Sequence, residues 1–478
     1  MPAQTRGARR KSLGLPPKEK QERFDPSSPS KAKTGKKAEG WGAPERTGFW
    51  ANVYGTCGVL AIIGTTPFIA VIVWHMFVNL DGSLASIVAA FQKDGLSLIA
   101  KIWPWTSKRA WQLLGSYAAF EALLQVYMPG KRFEANPTAA GNVPVYKANG
   151  VQSLVATVIA FFLCWHLGLT TPREVYELFG EMLAGMSLLA IVFCVFLLVK
   201  GHVAPTDEDS GSCGNVVYDF WWGMELYPKI GPLNLKQFTN CRFGMMAWAI
   251  LPIIFACYQY QRDKYLADSV AVCVALMCVY NFKFFVWETG YFNSMDIQHD
   301  RAGYYICWGC LVWVPAVYTS PALYIASHPV TLGPQLAAAI FALGCLSIWI
   351  NYDSDRQRQE FRASGGKKKV WGKKPVIVEA EYKVAKDGRT VTKKSILLAS
   401  GWWAIARHFH YLPEITASFF WTSPALFGKL PPYLYVIFLT VLLIDRSMRD
   451  DTRCSLKYGE YWKKYCELVP YKIVPGIF

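Results

Sequence analysis

Basic side chains follow two apolar stretches at spacings that place them on one face of a helix. Arg358 and Arg362 lie four residues apart, shortly after an apolar run that ends near residue 351. A second group occupies offsets of 0, 3, 4, 7 and 11, and its members are Arg446, Arg449, Asp450, Arg453 and Lys457. Because arginine makes bidentate hydrogen bonds to phosphate, two such faces could hold a ligand that carries phosphate groups.

The segment between these two groups, SGWWAIARHFHY (400–411), is aromatic and rich in histidine. Its candidate contact residues are Trp402, Trp403, Arg407, His408, His410 and Tyr411. Aromatic rings stack on nicotinamide or adenine, so the combination suits a nucleotide. A collar of basic residues that only fixes membrane orientation remains the alternative, although such a collar needs neither tryptophan nor histidine.

Carboxylates and aromatic residues are mixed in a third group, which runs from Trp287 to Arg301 and includes Glu288, Asp296 and Asp300. Ionisable residues at membrane depth are costly, which makes them candidates for a functional site. The group could form the polar floor of a pocket for a mainly apolar ligand. It could equally be a solvated loop with an interfacial aromatic belt.

Common cofactor and hydrolase fingerprints are missing from the chain. It contains no G-x-G-x-x-G, G-x-x-x-x-G-K-[ST], H-E-x-x-H or G-x-S-x-G motif, which argues against a Rossmann or P-loop domain. Cys307 and Cys310 form a C-x-x-C motif, but a zinc site would need a second ligand pair. We therefore expect two cysteines one turn apart on a membrane helix and no metal site.

The elements that must position these residues are membrane helices, as the composition indicates. Hydrophobic residues make up 53% of the 478 residues and charged residues only 18%, below the roughly 25% of soluble domains. The net charge of +16 is confined to three polar islands, residues 1–48, 351–396 and 445–478. A nucleic-acid-binding protein would instead spread basic charge over a folded surface, so no nucleic acid partner is expected.

Apolar runs predict an all-α polytopic membrane protein with about ten transmembrane helices. A bilayer core about 30 Å thick needs about 20 mostly apolar residues per helix. The candidate spans are 49–79, 109–128, 151–170, 179–200, 244–261, 266–286, 304–326 and 333–351, a weaker one at 83–104, and the short pair 415–428 and 431–444. The short pair could form two tilted spans or a re-entrant hairpin. If all the basic islands face the cytosol, the segment 49–350 must cross an even number of times.

Outside the spans we expect two polar regions. Residues 1–48 are rich in Lys, Arg, Ser, Pro and Gly and predict a disordered cytosolic arm. The insertion 351–396 contains VIVEAEYKV and TVTKKSILL, which predict a small cytosolic β-hairpin around an Asp387–Gly388 turn.

Several long motifs, in order, resemble the sterol reductase family of the ERG4/ERG24 type. DRSMRDDTRCSLKYGEYW (445–462) is similar to the C-terminal signature of that family, and GNVVYDFWWGMELYPKIG (214–231) is similar to its upstream signature, with Lys229 where the family usually has arginine. SGWWAIARHFHY (400–411), VPYKIVPGIF (469–478) and residues 293–324 also match. The resemblance covers 214–478 well, and it is strongest to the plant and algal branch that reduces the sterol 7,8 double bond.

This resemblance implies a multi-span domain at 49–478 in the endoplasmic reticulum membrane, with NADPH as cofactor. Residues 398–478 would form the C-terminal part of an NADPH site that faces the cytosol, as would the N-terminus. The implied substrate is a sterol with a Δ5,7-diene. The lipid bilayer is the other partner, and further sterol-biosynthesis enzymes are candidate partners.

The cofactor contacts that the resemblance implies lie in four places along the sequence. They are Arg358 and Arg362, then Leu398, Trp403, Arg407, His410 and Tyr411, then Arg446, Asp450, Cys454, Ser455, Leu456, Lys457 and Tyr458, and finally Tyr465. Many family members have asparagine at the position of His410.

Reduction of an electron-rich diene needs an acid before it needs a hydride. Protonation at carbon 8 leaves a cation at carbon 7 that is allylic to the 5,6 double bond, and a hydride then adds there. Our candidate acids are Tyr280, Glu288, Asp296 and Asp450. Since Asp450 sits among arginines that favour its charged form, we expect it to position other groups. A sterol Δ14-reductase and a non-catalytic sterol-binding membrane protein remain the alternatives.

Overall fold

Apolar runs of the sequence form long helices in the computed structural model, which describes residues 49–138, 141–386 and 389–478. The predicted arm (1–48) and the predicted Asp387–Gly388 turn therefore lie outside the described residues. Seven helices in this described part of the chain are long and apolar enough to cross a membrane. They are α1 (Phe49–Asn79, through its Gly55–Asn79 part), α4 (Phe179–Val203), α5 (Leu235–Asp263), α6 (Asp268–Val286), α7 (Tyr304–Ser327), α8 (Pro334–Ala363) and α10 (Pro431–Tyr458).

Three further helices connect opposite ends of this bundle, but each is too short or too polar to qualify as a membrane span by itself. They are α2 (Lys108–Tyr127), α3 (Gly150–His166) and α9 (Tyr411–Thr422). We call the end that carries Arg358 and Asp450 the cavity end, and the end that carries Asp81 and Lys429 the far end. With these three helices, the described chain runs ten times between the two ends, and seven of the ten helices have the length and composition of a membrane span.

The two short candidates near the C-terminus prove to be a descending and an ascending pass. Tyr411, at the start of α9, stacks on His408 at the cavity end with 5.3 Å between ring centroids. After α9 the Lys429 ammonium donates to the carbonyl of Asp81, which follows α1 at the far end. Since α10 then returns to the cavity end, the chain runs from the cavity end to the far end and back here.

The weak candidate at 83–104 does not span the bundle. It forms two short helices, Leu84–Asp94 and Ser97–Ile102, separated by Gly95 with a φ of 56°. Lys101 pairs with Asp94 at 2.6 Å, so the charges that weakened the prediction bind each other. The remaining short helices are Pro172–Glu177, Val216–Trp222, Glu288–Tyr291, Met295–Gln298 and Trp402–Ile405, and α11 is Glu460–Leu468.

Two widened helical segments face each other inside the bundle. Phe238–Gly244 of α5 and Gly309–Tyr318 of α7 are π-helical, a conformation that often occurs at functional sites. A Cβ on Gly244 would lie 2.5 Å from the carbonyl oxygen of Cys310, so only glycine permits this close approach. Cys310 and its neighbour Cys307 are free thiols on this helix, as the sequence indicated.

The predicted cytosolic insertion forms the longest sheet among the described residues. Strands β5 (Ile377–Lys386) and β6 (Arg389–Leu398) pair antiparallel, which confirms the predicted hairpin. Alternate residues such as Val378, Ala380 and Leu397 are buried against α10 and α11, as the period of two predicts. Trp462 of α11 lies in the same cluster, so α11 packs against the hairpin.

Two smaller strand pairs were not predicted. They are β1 (Lys131–Glu134) with β2 (Val145–Ala148), and β3 (Lys229–Ile230) with β4 (Leu233–Asn234). The first pair covers the 287–301 segment, because Tyr146 stacks on Phe292 with 4.7 Å between ring centroids. Helix α5 also contacts this segment, because the buried Lys236 ammonium donates to the carbonyl of Ile297 at 2.8 Å.

Candidate functional site

A single cavity of about 1140 Å³ opens at the cavity end and reaches into the bundle. Its inner wall comes from α5, α6, α7 and α10, and its outer wall comes from α8, the 400–411 segment and the β5–β6 hairpin. The 287–301 segment lies along one side. Of the two readings of that segment, the structure therefore favours the polar pocket floor.

The inner part of the cavity is lined by aromatic rings in mutual contact. Trp248 lies 5.0 Å from Tyr280 and 5.1 Å from Tyr318 between ring centroids, and Tyr318 lies 4.6 Å from Tyr435. Trp313 and Phe438 continue this wall at 5.2 Å. Such a wall matches a flat apolar ligand, and its ring faces can stabilise a cation that develops on the ligand.

Tyr280 is the titratable group of this inner part that the sequence had identified. It lies on α6 and its hydroxyl donates to the carboxyl of Glu414 on α9. The ammonium of Lys283, one turn further along α6, lies 4.5 Å from the centre of the Tyr280 ring. A phenol, a carboxyl and a cation therefore meet where the aromatic wall ends.

Arginines of α10 hold the carboxylates of the 287–301 segment. Arg446 donates to Asp296 at 2.6 Å, and Arg449 lies 3.6 Å from Asp300. Burial raises the pKa of Asp300 to about 6. Asp296 has an arginine as its direct partner, so it holds the Arg446 guanidinium in place.

Nearer the opening of the cavity, Asp450 connects α10 to the 400–411 segment, which contains His408 and His410 and is called the histidine segment below. It accepts two hydrogen bonds from Arg453, and its other oxygen lies 3.7 Å from Nε2 of His408. Arg453 also contacts Nε2 of His299 at 2.6 Å, which requires that nitrogen to be an acceptor. The arrangement fixes a guanidinium group at the edge of the cavity.

Neutral histidines line the outer part. Burial lowers the pKa of His408 to about 4 and that of His410 to about 3, and it lowers the pKa of His299 well below its usual value. All three rings are therefore neutral near pH 7. They add hydrogen-bonding capacity without adding positive charge.

The outer wall presents cations next to a flat ring. The Arg358 guanidinium lies 4.0 Å from the centre of the Trp403 ring, and Trp403 is anchored by its indole N–H to the carbonyl of Ser354 at 2.8 Å. The Lys457 ammonium lies 4.2 Å from the Tyr382 ring of the hairpin. Stacked guanidinium groups keep their hydrogen-bonding edge free for an anion.

Most of the sequence-predicted site residues come together in this one cavity. Those that line it are Tyr280, Asp296, Arg358, Arg362, Leu398, Trp403, Arg407, His410, Tyr411, Arg446, Asp450, Cys454, Lys457, Tyr458 and Tyr465. They come from α6, the 287–301 segment, α8, β6, the 400–411 segment, α10 and α11. Residues nearly 200 positions apart in sequence thus share one wall.

Three predicted residues lie elsewhere. Glu288 accepts hydrogen bonds from Arg242 at 2.6 Å and from the backbone N–H of Gly150 at 2.9 Å, so its carboxylate belongs to a buried ion pair. It is not among the residues that line the cavity. Ser455 and Leu456 are exposed on the outer face of α10. A rotation of 100° per residue turns them away while Cys454, Lys457 and Tyr458 point inward.

Sequence reasoning missed several cavity residues. Glu414, Asp355 and His299 line the cavity but were not selected as site residues. Glu414 was detectable, because a single carboxylate begins the otherwise apolar stretch EITASFFWT. Nothing in the sequence shows that it meets Tyr280, which lies more than 130 residues earlier.

Residues 50–478 match the sequence profile of the ergosterol biosynthesis ERG4/ERG24 family. The chain is 51% identical to 7-dehydrocholesterol reductase of Arabidopsis thaliana over 421 residues, which cover 88% of the chain and 97% of that relative. It is 31% identical to 7-dehydrocholesterol reductase of Xenopus laevis over 468 residues, which cover 94% of the chain and 98% of that relative. It is 32% identical to Delta(14)-sterol reductase of Methylotuvimicrobium alcaliphilum over 381 residues, which cover 79% of the chain and 86% of that relative.

Proposed function

Because the chain belongs to the ergosterol biosynthesis ERG4/ERG24 family, we propose that it reduces the 7,8 double bond of Δ5,7-sterols with NADPH. The 51% identity to a 7-dehydrocholesterol reductase supports this choice over Δ14-reduction, where the identity is 32%. One observation carries the proposal: a single cavity joins an aromatic inner part, with a phenol at its end, to a cationic outer part. An apolar polycyclic substrate and a phosphate-bearing cofactor could meet inside it.

The outer part fits NADPH by its chemistry. Among the described residues, the buried nitrogen atoms of the cavity wall that make no hydrogen bond include Arg407 Nε, His408 Nε2, His410 Nδ1 and Arg446 Nε. Arg358, Arg362 and Lys457 would hold phosphate oxygens, and Trp403 offers a flat ring to a base. When bound, NADPH supplies the hydride that completes reduction at carbon 7.

The inner part would perform the acid step. Tyr280 would give its hydroxyl proton to carbon 8 of the diene, since its hydroxyl lies in the aromatic wall and is hydrogen-bonded to the Glu414 carboxyl. Trp248, Tyr318 and Tyr435 would then face the allylic cation and stabilise it. Asp296 and Asp450 are held by arginines, so we assign them to positioning of Arg446 and Arg453.

The molecule would sit in the endoplasmic reticulum membrane with the cavity end in the cytosol. The basic insertion and the basic face of α10 both lie at that end, as expected when positive residues stay on the cytosolic side. NADPH would then reach the outer part from the cytosol, and the sterol would come from the bilayer.

Microsomes that contain the chain, incubated with NADPH and 7-dehydrocholesterol, test the proposal. We expect cholesterol to form, and we expect the Tyr280→Phe variant to form at least about 100-fold less at equal protein. A Δ8,14-sterol offered in parallel distinguishes the two reductase activities. Preferential turnover of that diene would contradict the proposal, and so would folded protein that reduces neither substrate.

A further inference from the structure

Glu414 occupies a position that the acid step leaves without a role. It lies in the first turn of α9, and its carboxyl accepts the hydrogen bond of the Tyr280 hydroxyl. Glu414 also lines the cavity, which extends into the outer part. The contact therefore joins the candidate acid to the open cavity.

Reduction of a diene by a hydride consumes one proton in every turnover. The Tyr280 side chain is buried among rings, and the residue is only 8% exposed. Each donation breaks its O–H bond and leaves a phenolate, so a second group must return a proton before the next turnover. That group has to touch the phenol oxygen and also communicate with water.

We propose that Glu414 is the residue that reprotonates Tyr280, which rests on the proposed sterol reductase function. As the C–H bond forms at carbon 8, the O–H bond of Tyr280 breaks. The proton of the Glu414 carboxyl then passes to the phenolate oxygen. The resulting carboxylate takes up a proton from water that enters through the outer part, so the cycle balances with one proton consumed and no redox change in either side chain.

The surroundings of the pair suit this transfer. Lys283 lies 4.5 Å from the Tyr280 ring centre, where its positive charge stabilises the phenolate. Its ammonium donates to Asn351 at 2.7 Å, and Asn351 donates to the carbonyl of His410 at 2.9 Å. These bonds fix the cation in place and tie α6 to α8 and the histidine segment.

Charged groups on the neighbouring helices face Glu414. They are Lys283 on α6, Asp355 on α8 and Arg446 on α10. A carboxyl group held away from water favours its protonated form, which is the form that can supply a proton. Asp355 lines the same cavity, has a side chain that is 29% exposed and pairs with Arg358 at 3.5 Å, so it marks the direction from which water reaches Glu414.

The Glu414→Gln variant separates proton return from simple orientation of the phenol. Glutamine can still accept the Tyr280 hydrogen bond, but it cannot lose and regain a carboxyl proton. We expect kcat to fall about 10²- to 10⁴-fold while the sterol KM stays within about threefold. The pH profile should also lose the limb on which wild-type kcat falls as Glu414 ionises. Glu460→Gln is the matched control, because its side chain is 92% exposed.

Two further variants make the outcome decisive. Glu414→Asp keeps an exchangeable proton and should retain more than a tenth of the wild-type kcat together with the pH limb. Short carboxylic acids such as acetate should restore turnover to Glu414→Ala in a concentration-dependent way. If Glu414→Gln keeps wild-type kcat and pH profile, or if the Asp and Gln variants lose activity equally without rescue, the inference is wrong. If wild-type protein reduces neither sterol diene, the proposed function itself fails.

Discussion

At the scale of single residues, the carboxylates of the cavity differ mainly in what they are bonded to. Asp296 and Asp450 each pair with an arginine, whereas Glu414 is bonded to a phenol. A carboxylate that is paired with an arginine holds its partner in place, whereas the carboxyl of Glu414 touches a hydroxyl group that carries an exchangeable proton. We therefore propose that the same functional group has two roles in one cavity.

Asp450→Asn should weaken NADPH binding, because Asp450 fixes the Arg453 guanidinium. We expect the NADPH KM to rise about tenfold, which corresponds to about 1.4 kcal/mol, with a smaller effect on kcat. NADPH titration followed by tryptophan fluorescence measures the affinity directly. Asp445→Asn is the control, since Asp445 lies one turn earlier with a side chain that is 56% exposed. An unchanged NADPH affinity in Asp450→Asn would remove Asp450 and Arg453 from the proposed cofactor site.

His408 makes the stability of the protein depend on pH. Its pKa is about 4 in the folded protein because of burial, and about 6.5 when unfolded. Its contribution is therefore complete above pH 6.5 and is lost as pH falls toward 4, by about 2 kcal/mol at pH 5. The raised pKa of Asp300, about 6, acts in the opposite direction, but it is common to wild type and to a His408 variant.

We expect His408→Gln to flatten this dependence. Between pH 7 and pH 5 the unfolding temperature of purified wild-type protein should fall by more than that of His408→Gln, because only wild type takes up the additional proton on unfolding. Thermal unfolding in detergent at pH 5, 6 and 7 gives the comparison. Parallel curves for the two proteins would show that His408 is not buried in its neutral form.

Individual residues were predictable from sequence when their role followed from their type, and not when it followed from their partner. Arg358 and Arg446 were identified because their spacing lines a helix face, and the cavity contains both. Glu288 was selected because ionisable residues at membrane depth are costly, yet its partner Arg242 lies 46 positions earlier on α5 and neutralises it. Long-range partners are set by helix packing, which local spacing does not encode.

At the scale of elements, the position of a residue around the helix axis decides whether its side chain faces the cavity. The sequence predicts a continuous run of contacts from Cys454 to Tyr458, but α10 turns Ser455 and Leu456 outward. The β-hairpin was easier to predict, because alternate burial in a strand appears directly as alternating residue types. Helix α9 was the hardest, since its 12 residues are too few for a standard span.

The hairpin forms part of the cavity wall, and α11 determines how firmly it is held. Trp462 is 7% exposed and packs in the cluster that contains Val378 and Leu397. Trp462→Ala should remove about 3–5 kcal/mol of packing and loosen the hairpin. We expect faster trypsin cleavage at Lys383 and Lys393 and a higher NADPH KM.

Trp371→Ala is the matched control for this prediction, because Trp371 is a tryptophan near the hairpin that is 60% exposed. It should leave the cleavage rate close to that of wild type. If Trp462→Ala is cleaved no faster than the control, α11 does not support the hairpin.

At the scale of the whole molecule, the path of the chain explains why the charge islands share one end. Thr56, near the start of α1, bonds to Asn215 at 2.8 Å, and the nearby Gly211 carbonyl accepts from Arg301 of the cavity wall at 2.6 Å. The chain thus begins α1 at the cavity end, and eight passes later it emerges at Arg358 on the same end. The number of passes between the first two basic islands is therefore even, as the charge pattern requires if all the islands lie on one side of the membrane.

The same path predicts which residues water-soluble reagents can reach from the cytosol. Lys374 precedes the hairpin at the cavity end, and Leu430 is 61% exposed at the far end, next to Lys429. In sealed microsomes a membrane-impermeant maleimide should add one label to Lys374→Cys relative to the parent protein. Leu430→Cys should gain its extra label only after detergent opens the membrane, because α9 would carry the chain to the lumenal side in the proposed orientation. Labelling of Leu430→Cys in intact vesicles would mean that α9 and α10 form a re-entrant hairpin, and the ten-pass path would then be wrong.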